Sequence, residues 1–475
     1  MRDEPQPAIT GTTYRPDPRI AEIAPWRGDP VAAADFPETK LRFRNRRHAA
    51  TVGLDGLSDA EWIAHFGRFA PLPANLPQPL ALRYHGHQFR VYNPEIGDGR
   101  GFLFAQLRDG ARDKTGDRLL DLGTKGSGQT PWSRQGDGRL TLKGAVREIL
   151  ATAMLEAQGV NTSKTFSVIE TGEELYRGDE PSPTRSAVLV RLSHSHIRIG
   201  SFQRLAALGE RDHLAALVDY CLENFPSSAE AAERAGPGNP AALLLNQVVE
   251  RMADMAASYM AAGFVHGVLN TDNMNVTGES FDYGPWRWLP NWNPDFTAAY
   301  FDHGGLYAFG RQPEAIHWNC GQLAIALRQI SEAEPLVAAL EQFAPLYRAN
   351  LNRRFAWRLG LGPRGDEADT ALIAASEAFM RDSAMPVETF FFSHRGGRNA
   401  LGDLASAVAG YAPLPSGHAY WSDPAPQSLL IEEVEAIWAA IAQHDDWTLL
   451  EAKLDRLERM REAMGEPPVP AGHPA

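Results

Sequence analysis

Residues 266–284, HGVLNTDNMNVTGESFDYG, place the imidazole of His266, the carboxylates of Asp272 and Asp282 and the carboxamide of Asn273 on what read as two adjacent loops. An amide oxygen and a carboxylate are hard donors that suit octahedral Mg2+, with phosphate oxygens completing the shell. Asn273 and Asp282 are therefore the candidate metal ligands.

The order of these groups is that of a protein-kinase catalytic loop, H-R-D-x-x-x-x-N, followed by a D-F-G metal-binding turn. Asn273 stands seven residues after His266, and Asp282-Tyr283-Gly284 begins nine residues later. The slot two after the histidine, where a kinase keeps its proton acceptor, holds Val268. An aliphatic side chain neither accepts a proton nor binds a metal. Either the loop is inactive, or neighbouring Asp272 serves a different transfer.

Upstream lie groups that could hold phosphates. In EIGDGRGFLF, Gly97 and Gly99 flank Asp98 and precede Arg100. Glycines let a backbone approach phosphate and arginine offers a forked cation, although an ordinary hairpin turn has the same composition. Lys125 ends the run RLLDLGTK, and Glu148 follows on a helix, where a carboxylate keeps such a lysine charged and aimed. A solvated lysine and a helix-face glutamate are the plain alternative. A second GDGR puts Asp137, Gly138 and Arg139 just ahead of that helix, a place suited to an anion and equally to a turn without ligand. Arg191 and Arg198, in VLVRLSHSHIRIG, could clamp a terminal phosphate or stand as two surface arginines. The histidines of YHGHQF (His85, His87) and SHSH (His194, His196) lack the i, i+4 helical spacing of a zinc pair and read as polar turn residues. His266 reads as a hydrogen-bonding brace for its loop.

Elements that could position these groups are visible in the pattern. GFLFAQL (101–107), RLLDLGTK (118–125) and SAVLVRL (186–192) read as strands between glycine-rich turns. Between them, Val146, Ile149, Leu150 and Met154 recur at helical spacing, with Gly159 as the stop. After about residue 200 the period becomes 3.6, as in PAALLLNQVVERMADMAASYMAAG and SLLIEEVEAIWAAIAQH. The expected fold is α+β, bilobal and protein-kinase-like. Residues 1–60 form an irregular N-terminal arm with short helices, 61–200 a strand-rich nucleotide-binding N-lobe, and 201–475 a larger helical C-lobe with the catalytic and metal-binding loops. AAERAGPGNP (231–240) reads as an exposed loop and EPPVPAGHPA (466–475) as a disordered tail.

Composition narrows the partners. A chain of 475 residues, 44% hydrophobic, can bury a large core. Its net charge of −13 argues against nucleic acid and anionic membranes, both of which favour basic surfaces, yet local cations and a metal can still admit ATP. Two cysteines, Cys221 and Cys320, are too few for a disulfide scaffold. The N-terminus lacks a signal-like apolar stretch, and no run approaches the ~20 apolar residues of a membrane span. A cytoplasmic protein is expected.

The blocks YHGHQF, GDGR, TKGSGQTPWSRQGDGR, VRLSHSHIRIGSF, HGVLNTDNM…DYGP and AYFDHGGLYAFGRQP, collinear over roughly residues 80–310, resemble those of the selenoprotein O family, also called YdiU. The resemblance implies a kinase-like protein adenylyltransferase. In such an enzyme ATP lies reversed, and AMP passes to Ser, Thr or Tyr hydroxyls of proteins, self-modification included, with release of pyrophosphate. It further implies that Gly97, Gly99, Arg100, Lys125, Asp137, Gly138, Arg191 and Arg198 hold ATP and that Glu148 supports Lys125. Asp272 accepts the proton, while Asn273 and Asp282 hold Mg2+, or Mn2+ in its place, Asp282 also touching the nucleotide. Three departures stand out. The usual YAGHQFG is YHGHQFR here, DGARDKTGD (109–117) looks inserted, and no cysteine follows Cys320, so redox control by a tail disulfide is not expected. The C-terminal third matches the family poorly. The competing expectations are a small-molecule phosphotransferase, whose H-G-D-x-x-x-x-N pattern Val268 interrupts, and an ATP-binding scaffold without turnover.

Overall fold

The computed structural model describes residues 13–110, 117–178, 180–226 and 228–470. The chain divides into two compact units: Met1–Ile149 with Ser163–Pro226 and Asn275–Glu279, and Leu150–Thr162 with Ser227–Met274 and Ser280–Ala475.

The first unit is built on an antiparallel sheet. Its strands are β1 (Gly28–Pro30), β2 (Lys40–Arg44), β3 (Leu80–Leu82), β6 (Leu103–Arg108), β7 (Leu119–Lys125), β8 (Leu140–Thr141), β9 (Lys164–Leu175) and β10 (Thr184–Ser193). A separate hairpin joins β4 (Gly86–Gln88) to β5 (Val91–Asn93). The order across the sheet is β1-β3-β6-β7-β10-β9-β2, with β8 also on β10. The three strands expected from apolar runs are present as β6, β7 and β10. β7 is buried along its whole length because it lies in the middle of the sheet. Trp62, Phe66, Phe104, Phe166, Val188 and Val190 pack as one core, each contributing about 1.5–3 kcal/mol by leaving water.

Of the arm expected at 1–60, the described residues carry the short helices, Arg19–Glu22, Ala24–Arg27 and Arg46–Thr51, but are less irregular than expected. They supply both edge strands, β1 pairing with β3 and β2 with β9. A charged strand such as KLRFR has a weak period-2 signal, and an edge tolerates its polarity. The β4–β5 turn is also unusual. Phe89 and Arg90 both have positive φ, 50° and 63°, the left-handed geometry of a two-residue hairpin turn that favours glycine. Arg90 stands where the resembled family has glycine, so this chain carries strain there. The inserted-looking stretch lies largely outside the described residues, but its ends are closed by Asp109, which accepts from the Arg118 amide at 2.7 Å and Nε at 2.8 Å.

The second unit is mainly helical. The helix Pro240–Ala262 starts on an Asn239 cap with proline at its N-terminus and ends at Gly263, φ 61°, after which β11 (Phe264–Val265) pairs with β12 (Arg287–Trp288). Met260, Val265, Trp292, Phe309, Phe355 and Phe390 form its core. Residues 231–240 are not simply a loop: Ala229–Ala235 is helical, capped by Ser228. Alanine, glutamate and arginine favour helix, and Arg234 reaches the Glu250 carboxylate, which outweighs the glycines that follow. Of the expected disordered tail, 471–475 lie outside the described residues. Among the described residues no helix is long and apolar enough to cross a membrane.

One buried carboxyl gives the first unit a pH dependence. Glu279 accepts the His194 amide at 2.8 Å. Burial pushes its pKa up from 4.5 to about 7; the Asp121 charge adds to this, and Lys164, Arg118 and the His194 bond oppose it. The folded protein therefore holds a proton that the unfolded chain releases between these two values, and stability from this group falls as pH rises through that window and is flat above it. Glu279→Gln keeps an acceptor for His194. In denaturant titrations it should match wild type at the acid end and exceed it by up to about 3 kcal/mol above neutral pH.

Candidate active site

In the first unit, Lys125 ends β7 and its Nζ lies 2.9 Å from Glu148 Oε2, both side chains being at least 95% buried. A buried ammonium requires such a partner. Arg191 on β10 lies opposite Gly123 in the ladder, and its guanidinium stands 3.8 Å from Glu148 Oε1. One carboxylate thus faces two cations, and the space at Gly123 is filled by the His196 ring, which a Cβ there would strike. The His196 amide in turn donates to Asp121 on the same strand at 2.8 Å.

The first GDGR loop is drawn to this region through Arg198. Arg198 precedes the helix Ile199–Leu208, and its guanidinium meets Asp98 at 3.2 Å and the Tyr84 ring at 4.6 Å. The Gly126 amide, next after Lys125, donates to Arg100 O at 2.7 Å. The glycine requirement here is structural. A Cβ on Gly97 would enter the Trp132 ring, and one on Gly99 would meet the Trp132 carbonyl. The Arg100 side chain is exposed.

The second GDGR is engaged differently. Asp137 pairs with Arg177 at 2.8 Å and accepts the Arg139 amide, while Arg139 forks onto Glu173. The Arg177 bond and its charge, with the Arg139 amide, hold the Asp137 carboxyl below its usual range against the desolvation that raises it. Gly138, φ 69°, meets Gly128 so closely that no Cβ fits. Thr141 caps the following helix, accepting from Gly144 N. Together Gln129, Asp137, Arg139 and Glu173 line an open groove.

In the second unit, the β11–β12 hairpin closes the chain on itself and brings the 266–273 loop to the 281–284 turn. His266 joins them. The Val268 amide approaches its Nδ1 at 3.4 Å, so Nε2 carries the proton and donates to Phe281 O at 3.0 Å, just before Asp282. This is the bracing role its position suggested. Val268, in the slot of the kinase aspartate, contributes a carbonyl: it accepts from Asn273 Nδ2 at 3.0 Å. That bond engages the nitrogen end of the amide, so Oδ1 is the end that could serve a cation. Asp272 sits on a 3-10 turn, 9% exposed. Asp282 adopts φ 63°, a left-handed conformation that is sparsely populated outside glycine and concentrates at functional turns.

Three supporting residues escaped the sequence reading. Tyr307 OH donates to Asn270 Oδ1 at 2.8 Å, Gln312 accepts from the His266 amide at 3.0 Å, and Asn319 donates to Leu269 O at 2.8 Å. They come from downstream of the loop, 37 to 50 residues away by partner. The only available signal was the AYFDHGGLYAFGRQP block, which contains two of them.

The family model "Protein adenylyltransferase SelO" matches residues 12–400. The chain is 40% identical to the protein nucleotidyltransferase YdiU of Gloeobacter violaceus over 477 residues, covering 93% of this chain and 95% of that protein. It is 47% identical to the YdiU of a Synechocystis species over 348 residues, 72% of this chain and 70% of that one. The similarity thus extends on both sides of the blocks at 80–310 and into the C-terminal third, which had looked divergent.

The buried pair makes a stability prediction. Lys125→Met leaves the Glu148 carboxylate with the Arg191 guanidinium 3.8 Å away but without its ammonium partner, and unfolding should show a loss of about 2–4 kcal/mol. Lys125→Met/Glu148→Gln should regain only part of it, because the buried Arg191 guanidinium then faces a neutral amide in place of the carboxylate.

Proposed function

Because the chain belongs to the SelO family of protein adenylyltransferases, we propose that it transfers AMP from ATP to Ser, Thr or Tyr hydroxyls of proteins, itself included, and releases pyrophosphate. The observation that carries this reading is Val268 in the phosphotransferase base position, with Asp272 as the carboxylate of the same loop.

In this mechanism the acceptor oxygen attacks the α-phosphorus. The new P–O bond forms as the bond to the bridging oxygen breaks, pyrophosphate leaves, and the hydroxyl proton passes to Asp272. Lys125, Arg191 and Arg198 disperse phosphate charge, with Glu148 keeping Lys125 aimed. Gly97, Gly99, Arg100, Asp137 and Gly138 complete the contacts to a nucleotide lying reversed relative to kinase ATP. Asn273 and Asp282 fit a divalent cation by donor type, and Mg2+ or Mn2+ held there would neutralise phosphate oxygens. The reading includes a kinase-like, two-lobed organisation with its lobes at 61–200 and 201–475. It also includes a reducing, cytoplasmic setting, with which two buried cysteines that form no disulfide with each other agree.

Pure protein incubated with ATP and Mg2+ should gain one AMP by intact mass and release pyrophosphate. Asp272→Ala should lower transfer about 10²–10⁴-fold while retaining ATP binding. Stoichiometric ADP with a phosphorylated small molecule would overturn the proposal in favour of phosphotransfer, and ATP binding without turnover in either protein would favour a scaffold. Tyr307→Phe removes one hydrogen bond behind the loop and should lower kcat about tenfold at unchanged ATP KM.

A further inference from the structure

Between the metal-binding turn and the helix Gln312–Leu327, the chain forms a short strut, residues 298–307, fastened to the catalytic loop at both ends. At one end Ala298 and Ala299 are buried and pack over Gly267, where a φ of 85° disfavours a side chain and a Cβ would stand 3.0 Å from that of Ala298. At the other end Tyr307 holds Asn270. Asp302 stiffens the middle, its two carboxylate oxygens accepting the Leu306 and Tyr307 amides at 2.8 Å each. Between these anchors two aromatic rings point outward. Tyr300 is 79% and Phe301 43% exposed, packed edge to face at 5.1 Å.

Isolated exposed apolar residues are ordinary, but an adjacent aromatic pair on a fixed turn is a recognition feature: such rings give large contact area at little entropic cost. Rings this exposed do not enclose a small molecule, which needs a site that buries it. The strut is continuous with the loop to which an acceptor hydroxyl must come. We propose that Tyr300 and Phe301 read the protein acceptor, seating an apolar side chain that lies within a few residues of the modified hydroxyl in an extended segment. This deepens the adenylyl-transfer reading and rests on it.

The test uses the full chain, labelled ATP and Mg2+, with peptides carrying one central Tyr, Ser or Thr and randomised flanks. Wild type should enrich peptides with an apolar residue beside the hydroxyl. Tyr300→Ala/Phe301→Ala should lose that preference and raise the KM for a selected peptide about tenfold, with the KM for ATP unchanged. Tyr300→Phe/Phe301→Leu, which keeps apolar bulk, should retain most of the preference and guards against a folding defect. Selection of the same peptides at the same KM by the double alanine variant, or no apolar enrichment by wild type, overturns the inference. Failure of wild type to transfer AMP to any peptide or to itself removes the adenylyl-transfer reading, and this inference with it.

Discussion

An ammonium group at the end of a fully buried strand can stay charged only if a carboxylate is delivered to it, and in the first unit that requirement organises what surrounds Lys125. β7 has to be interior for Lys125 to be buried, so strands must cover it on both sides. The helix carrying Glu148 has to cross at the strand's end, and β10 has to run antiparallel in the register that sets Arg191 opposite a glycine. Desolvation makes such a pair expensive to assemble and more expensive to break. The geometry of the two cations is therefore inherited from the sheet and does not depend on flexible surface side chains.

The second unit solves its positioning problem with neutral groups. His266, Asn270, Asn273, Tyr307, Gln312 and Asn319 bind backbone or one another, so hydrogen bonds from amides, a hydroxyl and an imidazole tie the loop down. Neutral bonds of this kind add about 1 kcal/mol each but are costly to leave unmade inside a protein, which favours a single loop conformation. Val268 shows the division of labour. The side chain that would do kinase chemistry is gone, and the backbone at that position still ties down Asn273.

Much of this was legible in linear order. The strands β6, β7 and β10 and the helix at 142–157 follow from apolar periodicity, which local side-chain patterning encodes directly. Lys125 and Glu148 were paired in expectation through motif order, and they meet. In the arm expected at 1–60 the two strands do not show in the sequence because edge strands are short and polar, and the 229–235 helix does not because the glycines after it hide its alanine-rich start. The two GDGR copies are identical in sequence, but Asp98 meets Arg198 whereas Asp137 meets Arg177 and the Arg139 amide, since identical tetrapeptides take their contacts from different surroundings.

By itself the sequence determined residue chemistry, element type where the period was strong, and kinship, because each is a property of neighbours along the chain. Only the tertiary structure decided which carboxylate faces which cation, which nitrogen of His266 carries its proton, why Gly97 and Gly123 must lack a side chain, and that Tyr307 and Gln312 stand behind the loop. Those outcomes depend on contacts between groups tens of residues apart, where burial and hydrogen-bond geometry, which no local pattern records, select among alternatives that composition leaves equal.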